Sequence, residues 1–279
     1  MKQRVISAII GLLLFIAVMT LFGTIVPNIA IALLAGMAVW ELLNATGCAK
    51  NKLLCLLSLA FAVVVPFLSF TIMVQHLMLI CFAYVLGIFF TLLYYHNTLN
   101  IQQAAMAFMF SLLIPFSLTS LLYLRDRLGI AQGIFYTFLT FASAWLSDTF
   151  AYFTGRKWGK HKLAPIISPK KTVEGAFGGI IGSMAGTSLL LWVVSLILKA
   201  AGMPIQIHFP QLLCVIPPLS AISIAGDLSA SVIKRQFGVK DYGSIMPGHG
   251  GVMDRFDSVL LAAPLVFLIS RYFPLVTAG

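Results

Sequence analysis

The chain has 279 residues, 60% of them hydrophobic and 9% charged, with a net charge of +10 at neutral pH and a mean hydropathy of +1.01. Soluble domains carry about 25% charged residues, so this composition excludes a water-soluble globular protein and indicates a polytopic membrane protein. The positive charge does not indicate nucleic acid, because excess Lys and Arg collect in the loops that membrane proteins keep on the cytoplasmic side.

Nine apolar runs come close to or reach the roughly 20 residues that a bilayer-crossing helix needs. They are 5–22, 25–43, 53–70, 77–95, 104–124, 133–153, 175–198, 210–233 and 256–273. The expected fold is all-α, with about nine transmembrane helices. The opening Met-Lys-Gln-Arg followed by an apolar run has the outline of a signal peptide. A second run follows at once and no small-x-small cleavage site separates them, so the first run is read as a retained span. With the N-terminus in the cytoplasm, only Arg125, Arg127, Lys199 and Arg271 lie outside, and the other fourteen of the 18 Lys and Arg lie inside. That split fixes the expected orientation: a multi-pass protein of the cell (inner) membrane, N-terminus inside and C-terminus outside. The four cysteines, Cys48, Cys55, Cys81 and Cys214, form no CxxC pair and read as small buried hydrophobes without disulfide or zinc.

Acidic residues are unevenly placed. Glu41 is the only one in the first 124 residues, whereas six of the eight lie at or beyond Asp148. Residues 1–124 are therefore read as an N-terminal helical scaffold, and 125–279 as the region that carries chemistry, its site facing the cytoplasm. The densest polar stretch is 231–257, which holds Lys234, Arg235, Lys240, Asp241, His249, Asp254, Arg255 and Asp257 between apolar runs.

An Asp at the centre of a span costs about 2.5–3.5 kcal/mol on insertion scales. Asp148 and Asp227 should therefore line a cavity or pair with a cation. The competing role is interfacial, capping a helix or pairing with Arg156 or Lys234. Asp227, Ser231 and Lys234 or Arg235 recur at helical spacing and share one face. Asp254 and Asp257 are three apart at the start of the last span. Carboxylates on two helices suit a hard divalent ion such as Mg²⁺, and without a Cys/His ligand set zinc is disfavoured.

Pro247, Gly248, His249, Gly250 and Gly251 form a glycine-rich loop ending at a helix start, a geometry that offers backbone N–H groups to an anion. Basic flanks make it a candidate polyphosphate cradle, although the GxxxxGK[ST] pattern is absent. Ser168, Pro169, Lys170, Lys171, Thr172 and Glu174 open the seventh span with hydroxyls, cations and a carboxylate. Anion binding at a helix start competes there with a capping role for Ser or Thr with Glu174. Residues 156–162 read as a basic patch drawn to anionic lipid. Glu41 reads as a snorkelling or paired interfacial acid, His161 and the other loop histidines (His76, His96, His208) as solvated, and Gly178, Gly179, Gly182 and Gly186 as a close helix contact.

The spaced residues Ser231-x-x-Lys234-Arg235, Lys240-Asp241 and His249-Gly250-Gly251-x-x-Asp254-Arg255-x-Asp257 resemble the signature of CDP-diacylglycerol synthases (phosphatidate cytidylyltransferases). Met246 departs from that family's usual Leu, Ile or Phe. Asp148-x-x-Ala151-Tyr152 with Gly155, Ser168-Pro169-x-Lys171-Thr172, Gly226-Asp227 and, more weakly, Glu41 extend the likeness. The resemblance implies a nucleotidyltransferase of phospholipid biosynthesis. Such an enzyme transfers CMP from CTP to phosphatidic acid drawn from the bilayer, and releases pyrophosphate. It implies Mg²⁺ and a second, monovalent cation, K⁺. Asp227 and Asp254 are the implied metal ligands, with Asp257 or Asp148 in support. Lys171, Lys234, Arg235, Asp241, His249, Arg255 and Asp257 are the implied catalytic set, and Ser168, Thr172, Ser231, Gly250, Gly251 and Asp148 the substrate-binding set. CTP, phosphatidic acid and membrane lipids are the expected partners, nucleic acid is not, and a homodimer is left open. The competing functions are a CTP-dependent polyprenol or phytol kinase and a non-catalytic lipid transporter. Polarity gathered at one face, without paired half-helices at the midplane, speaks against transport.

Overall fold

Backbone polar groups in a bilayer must find partners within the chain, and a helix satisfies them within one segment. The computed structural model, which describes residues 2–69, 75–246 and 250–279, follows that rule. Its helices among the described residues are α1 (Lys2–Thr20), α2 (Val26–Ala45), α3 (Lys52–Val64, continued by a 3-10 turn at Val65–Ser69), α4 (Leu77–Tyr94), α5 (Ile101–Leu128), α6 (Ile130–Trp158), α7 (Val173–Ala200), α8 (Phe209–Gln236) and α9 (Met253–Tyr272). Each expected apolar run falls on one of them. Six are both long and apolar enough to cross a membrane: α2, α3 with its 3-10 extension, α4, α5, α7 and α8. Helices α6 and α9 carry the polar residues of interest, Asp148 on α6 and Asp254 and Asp257 on α9.

Two short antiparallel ribbons join the helices. Strands β1 (Lys162–Ala164) and β2 (Ser168–Thr172) pair with Lys162 opposite Thr172 and Ala164 opposite Ser168. Strands β3 (Ile205–Ile207) and β4 (Val276–Ala278) pair with Ile205 opposite Ala278. Neither ribbon is signalled by periodicity, since three to five residues are too few to show an alternation.

The helices group into two compact units. The first comprises Met1–Leu122 with Gln236–Arg255, the second Tyr123–Arg235 with Phe256–Gly279. The segment 236–255, rich in charge and glycine, thus belongs with the N-terminal helices.

In the first unit several buried polar groups are paired across helices, as an apolar interior favours. Asn28 Nδ2 donates to the Pro66 carbonyl at 2.8 Å and to Ser69 Oγ at 3.1 Å. Tyr84 links Ser58 on α3 to Ser111 on α5 through its hydroxyl and stacks on Phe61 with centroids 4.2 Å apart. Asn51 caps α3 by accepting from Leu54 N–H at 3.0 Å.

In the second unit α6 and α7 pack along their length. A Cβ at Gly179 would stand 2.7 Å from the Ser147 carbonyl oxygen, and one at Gly178 or Gly182 would run into Thr154 or Phe150. Ser183 Oγ donates across the same contact to the Ser143 carbonyl at 3.2 Å. The small-residue stripe is therefore a helix contact, as its spacing suggests. It holds the segment bearing Asp148 against the helix that starts beside Lys171.

Candidate active site

Each unit holds a cluster of carboxylates. In the second unit the cluster begins where β2 runs into α7. Thr172 adopts extended backbone angles and its Oγ1 accepts from Gly175 N–H at 3.1 Å, the geometry of a helix N-cap. The preceding Lys171 Nζ reaches Asp227 Oδ2 on α8 at 2.5 Å, both side chains being 24% exposed. Ser231, one turn further along α8, donates from its hydroxyl to Asp227 Oδ1 at 3.3 Å. That is the face expected from the four-residue spacing.

Asp148 on α6 and Asp257 on α9 stand within electrostatic reach of Asp227. Lys171 acts on Asp148, and Lys234 acts on Asp257. The Ser258 hydroxyl hydrogen-bonds Asp148, and Ser258 N–H donates to Asp257 Oδ1 at 2.7 Å. Gly226 makes this convergence possible, because a Cβ there would stand 2.6 Å from the Asp257 carbonyl oxygen. Three carboxylates thus gather with two lysines, Lys171 beside Asp227 and Asp148 and Lys234 beside Asp257. The Lys171 ammonium, enclosed in the cluster, faces Asp227 as an ion pair.

The β1–β2 ribbon is tied down on both sides. Arg235 Nε at the end of α8 donates to the Ile167 carbonyl at 3.2 Å. Glu174 accepts from Lys160 N–H at 3.0 Å and pairs with His161 Nδ1 at 2.6 Å. His161 is thus partnered rather than merely solvated, and Glu174 fastens the ribbon while Thr172 supplies the cap. Ser168 opens β2, half-buried.

In the first unit Asp254 and Glu41 each accept from two backbone N–H groups. Asp254, in the first turn of α9, accepts from Tyr242 N–H at 2.9 Å and Gly251 N–H at 3.0 Å, both on Oδ2. Glu41, 2% exposed on α2, accepts from Val252 N–H at 2.9 Å on Oε1 and from Met253 N–H at 2.8 Å on Oε2. The N–H groups of Gly251, Val252 and Met253, expected to face a phosphate, are therefore occupied by side-chain carboxylates. Gly250 takes a left-handed conformation, φ 86°, and closes a bridge to Met246. Asp241 and Arg255 are exposed. Pro247, Gly248 and His249 lie outside the described residues.

In each unit a carboxylate of the kind that suits a hard cation is present, Asp227 in the second and Asp254 in the first. Among the described residues no three His, Cys, Asp or Glu side chains form a ready-made ligand cage. Mg²⁺ is usually held by one or two carboxylates together with substrate phosphates and water, not by an all-protein cage.

Spacing predicted the face of Asp227 and Ser231, but the cation that meets Asp227 is Lys171, not Arg156 or Lys234, and Ser258, which carries no charge and no motif, was not foreseen. The function of Glu41 was not readable, since its partners are backbone N–H groups more than 200 residues away in the chain.

Comparison with known proteins gives a concordant result. A model of the cytidylyltransferase family matches residues 2–273. The phosphatidate cytidylyltransferase of Staphylococcus haemolyticus is 35% identical over 276 residues, covering 96% of this chain and 98% of that protein. That of Staphylococcus epidermidis is 36% identical over 274 residues with the same coverage, and that of Staphylococcus aureus 33% identical over 277 residues.

Proposed function

The chain belongs to the cytidylyltransferase family, and we infer from that membership that it is a phosphatidate cytidylyltransferase. It transfers CMP from CTP to phosphatidic acid and releases CDP-diacylglycerol and pyrophosphate. The observation that carries this reading is the end-to-end similarity to phosphatidate cytidylyltransferases, 96% of this chain against 98% of theirs. A family kinase would share local charged motifs, not the whole length.

A phosphatidate oxygen attacks the α-phosphorus of CTP in line. The new P–O bond forms as the bond to the β-phosphate bridging oxygen breaks, and the electron pair leaves with pyrophosphate. A phosphomonoester has a second pKa of about 6, so the nucleophile is already anionic near neutral pH and needs no strong base. The chain's task is positioning and charge stabilisation. In the second unit, Lys171, Lys234 and Arg235 supply cationic donors, and Asp227, flanked by Asp148 and Asp257, is the carboxylate we assign to Mg²⁺. In the first unit that assignment goes to Asp254. Mg²⁺, when bound, would neutralise phosphate charge as the leaving group departs. The expected monovalent ion, K⁺, belongs to the same reading. His249, Asp241, Arg255, Ser168 and Ser231 remain our candidates for holding the two substrates.

All nine helices cross the bilayer in this reading, with the N-terminus and the site on the cytoplasmic side, where the bulk of the Lys and Arg residues lie and CTP is available. Purified protein given phosphatidate and CTP labelled at the α-phosphate should place label in lipid and release unlabelled pyrophosphate in equal amount. Lipid labelled only from γ-phosphate would make it a kinase and overturn the proposal.

A further inference from the structure

The buried acid Glu41 takes no part in the reaction just described, and the sequence gives it no role beyond an interfacial anchor. Its surroundings give it a specific one. The first N–H groups of a helix have no partner within the helix and are normally met by a Ser, Thr, Asp or Asn at the position before it. Helix α9 starts at Met253, and the residue before it, Val252, has no side-chain oxygen. The acceptor comes instead from α2: Glu41 takes Val252 N–H on one oxygen and Met253 N–H on the other. The next residue, Asp254, then folds back onto Gly251 N–H and Tyr242 N–H through a single oxygen.

The chain accommodates this carboxylate at two further points. A Cβ at either Gly243 or Gly251 would run into the Glu41 carboxylate. Neither glycine has a positive φ, so their requirement for glycine comes from the approach of Glu41, not from backbone conformation.

We propose that Glu41 is a positioning residue, a helix cap supplied from α2 that fixes the start of α9 and thereby the direction of the Asp254 carboxylate. Given the reading of Asp254 as a Mg²⁺ ligand, on which the functional part of the proposal rests, Glu41 controls how readily the enzyme takes up the ion without touching it. Removing the carboxylate leaves two buried N–H groups without acceptors, and the turn 250–254 relaxes to find others.

The test uses the full chain in detergent, comparing wild type, Glu41→Gln, Gly243→Ala, the Glu41→Ala single variant and the Glu41→Ala/Gly243→Ala double variant. Glu41→Gln should raise the Mg²⁺ concentration for half-maximal activity at least fivefold. Loss of folded protein alone would scale the maximum and leave that midpoint unmoved. Independently of activity, amide hydrogen exchange at Val252 and Met253 should accelerate at least tenfold in Glu41→Gln. Gly243→Ala, which presses a methyl against the carboxylate, should reproduce both effects. In the Glu41→Ala background, where the space is vacated, the same change should add less than a further twofold. Strict additivity of those two changes would overturn the proposal, because independent sites add. So would an unmoved Mg²⁺ midpoint together with unchanged exchange. Should Glu41→Gln fail to fold, Gly243→Ala and its exchange readout decide the matter alone. If Asp254→Asn keeps near-normal turnover while the exchange effects appear, the metal assignment fails and the capping role of Glu41 stands.

Discussion

The two carboxylate clusters differ in a contact that each makes. In the second unit Asp227, with Asp148 and Asp257 nearby, is answered by a side-chain cation, Lys171 at 2.5 Å. In the first, Glu41 and Asp254 are answered by four backbone N–H groups. A lysine partner can be shared with or surrendered to an incoming ion or phosphate, because its flexible stem lets the charge move. A backbone N–H cannot move without the segment that carries it. The ion pair of one cluster can exchange partners, whereas the backbone contacts of the other hold a loop in place around Asp254, the carboxylate we assign to Mg²⁺.

That contrast can be broken at several points. The largest expected effect is Asp227→Asn, which removes the negative charge but keeps the shape: kcat should fall by roughly 10³-fold, the scale of losing one transition-state electrostatic contact. Retention of near-normal Mg²⁺-dependent turnover would show that the second cluster is structural after all. Lys171→Met should lower kcat by about 10²-fold and leave Asp227 and Asp148 without the cation that faces them. Measuring the CTP KM in the same variant sharpens the comparison, since a KM effect alone would confine Lys171 to ground-state binding. Thr172→Ala removes the cap of α7 and should cost about 1 kcal/mol of stability, read as a lowered thermal midpoint in detergent. The smallest effect is expected for Lys50→Ala. This exposed residue lies outside both clusters, and the change should alter stability by less than about 0.5 kcal/mol with turnover unchanged.

The helices were legible because a membrane span needs only length and apolarity, and both are local properties. Runs 25–43 and 77–95 sit within two residues of α2 and α4. The face carrying Asp227 and Ser231 was legible because a four-residue spacing on a helix is a contact, and the structure shows it as a hydrogen bond. Three features were not legible. The β1–β2 ribbon depends on a turn and on side-chain ties from Arg235 and Glu174, none of which has a periodic signature. The grouping of 236–255 with the N-terminal helices depends on long-range packing. The carboxylate that meets the start of α9 was not legible either, because a sequence shows the N–H donors of Val252 and Met253 but not the acid that arrives from another helix to accept from them.

The ribbon has one more consequence. Between its two paired positions β2 spends four residues where β1 spends two, so the ribbon is irregular across Pro169–Lys171 and simple alternation does not apply there. Lys170 is exposed, whereas Lys171 is drawn in beside Thr172. The two lysines are chemically identical, and what separates them is this irregular stretch, fixed at one end by the pairing of Thr172 with Lys162 and by the cap that Thr172 places on α7. The irregularity thereby selects which of two equivalent charges meets the acid.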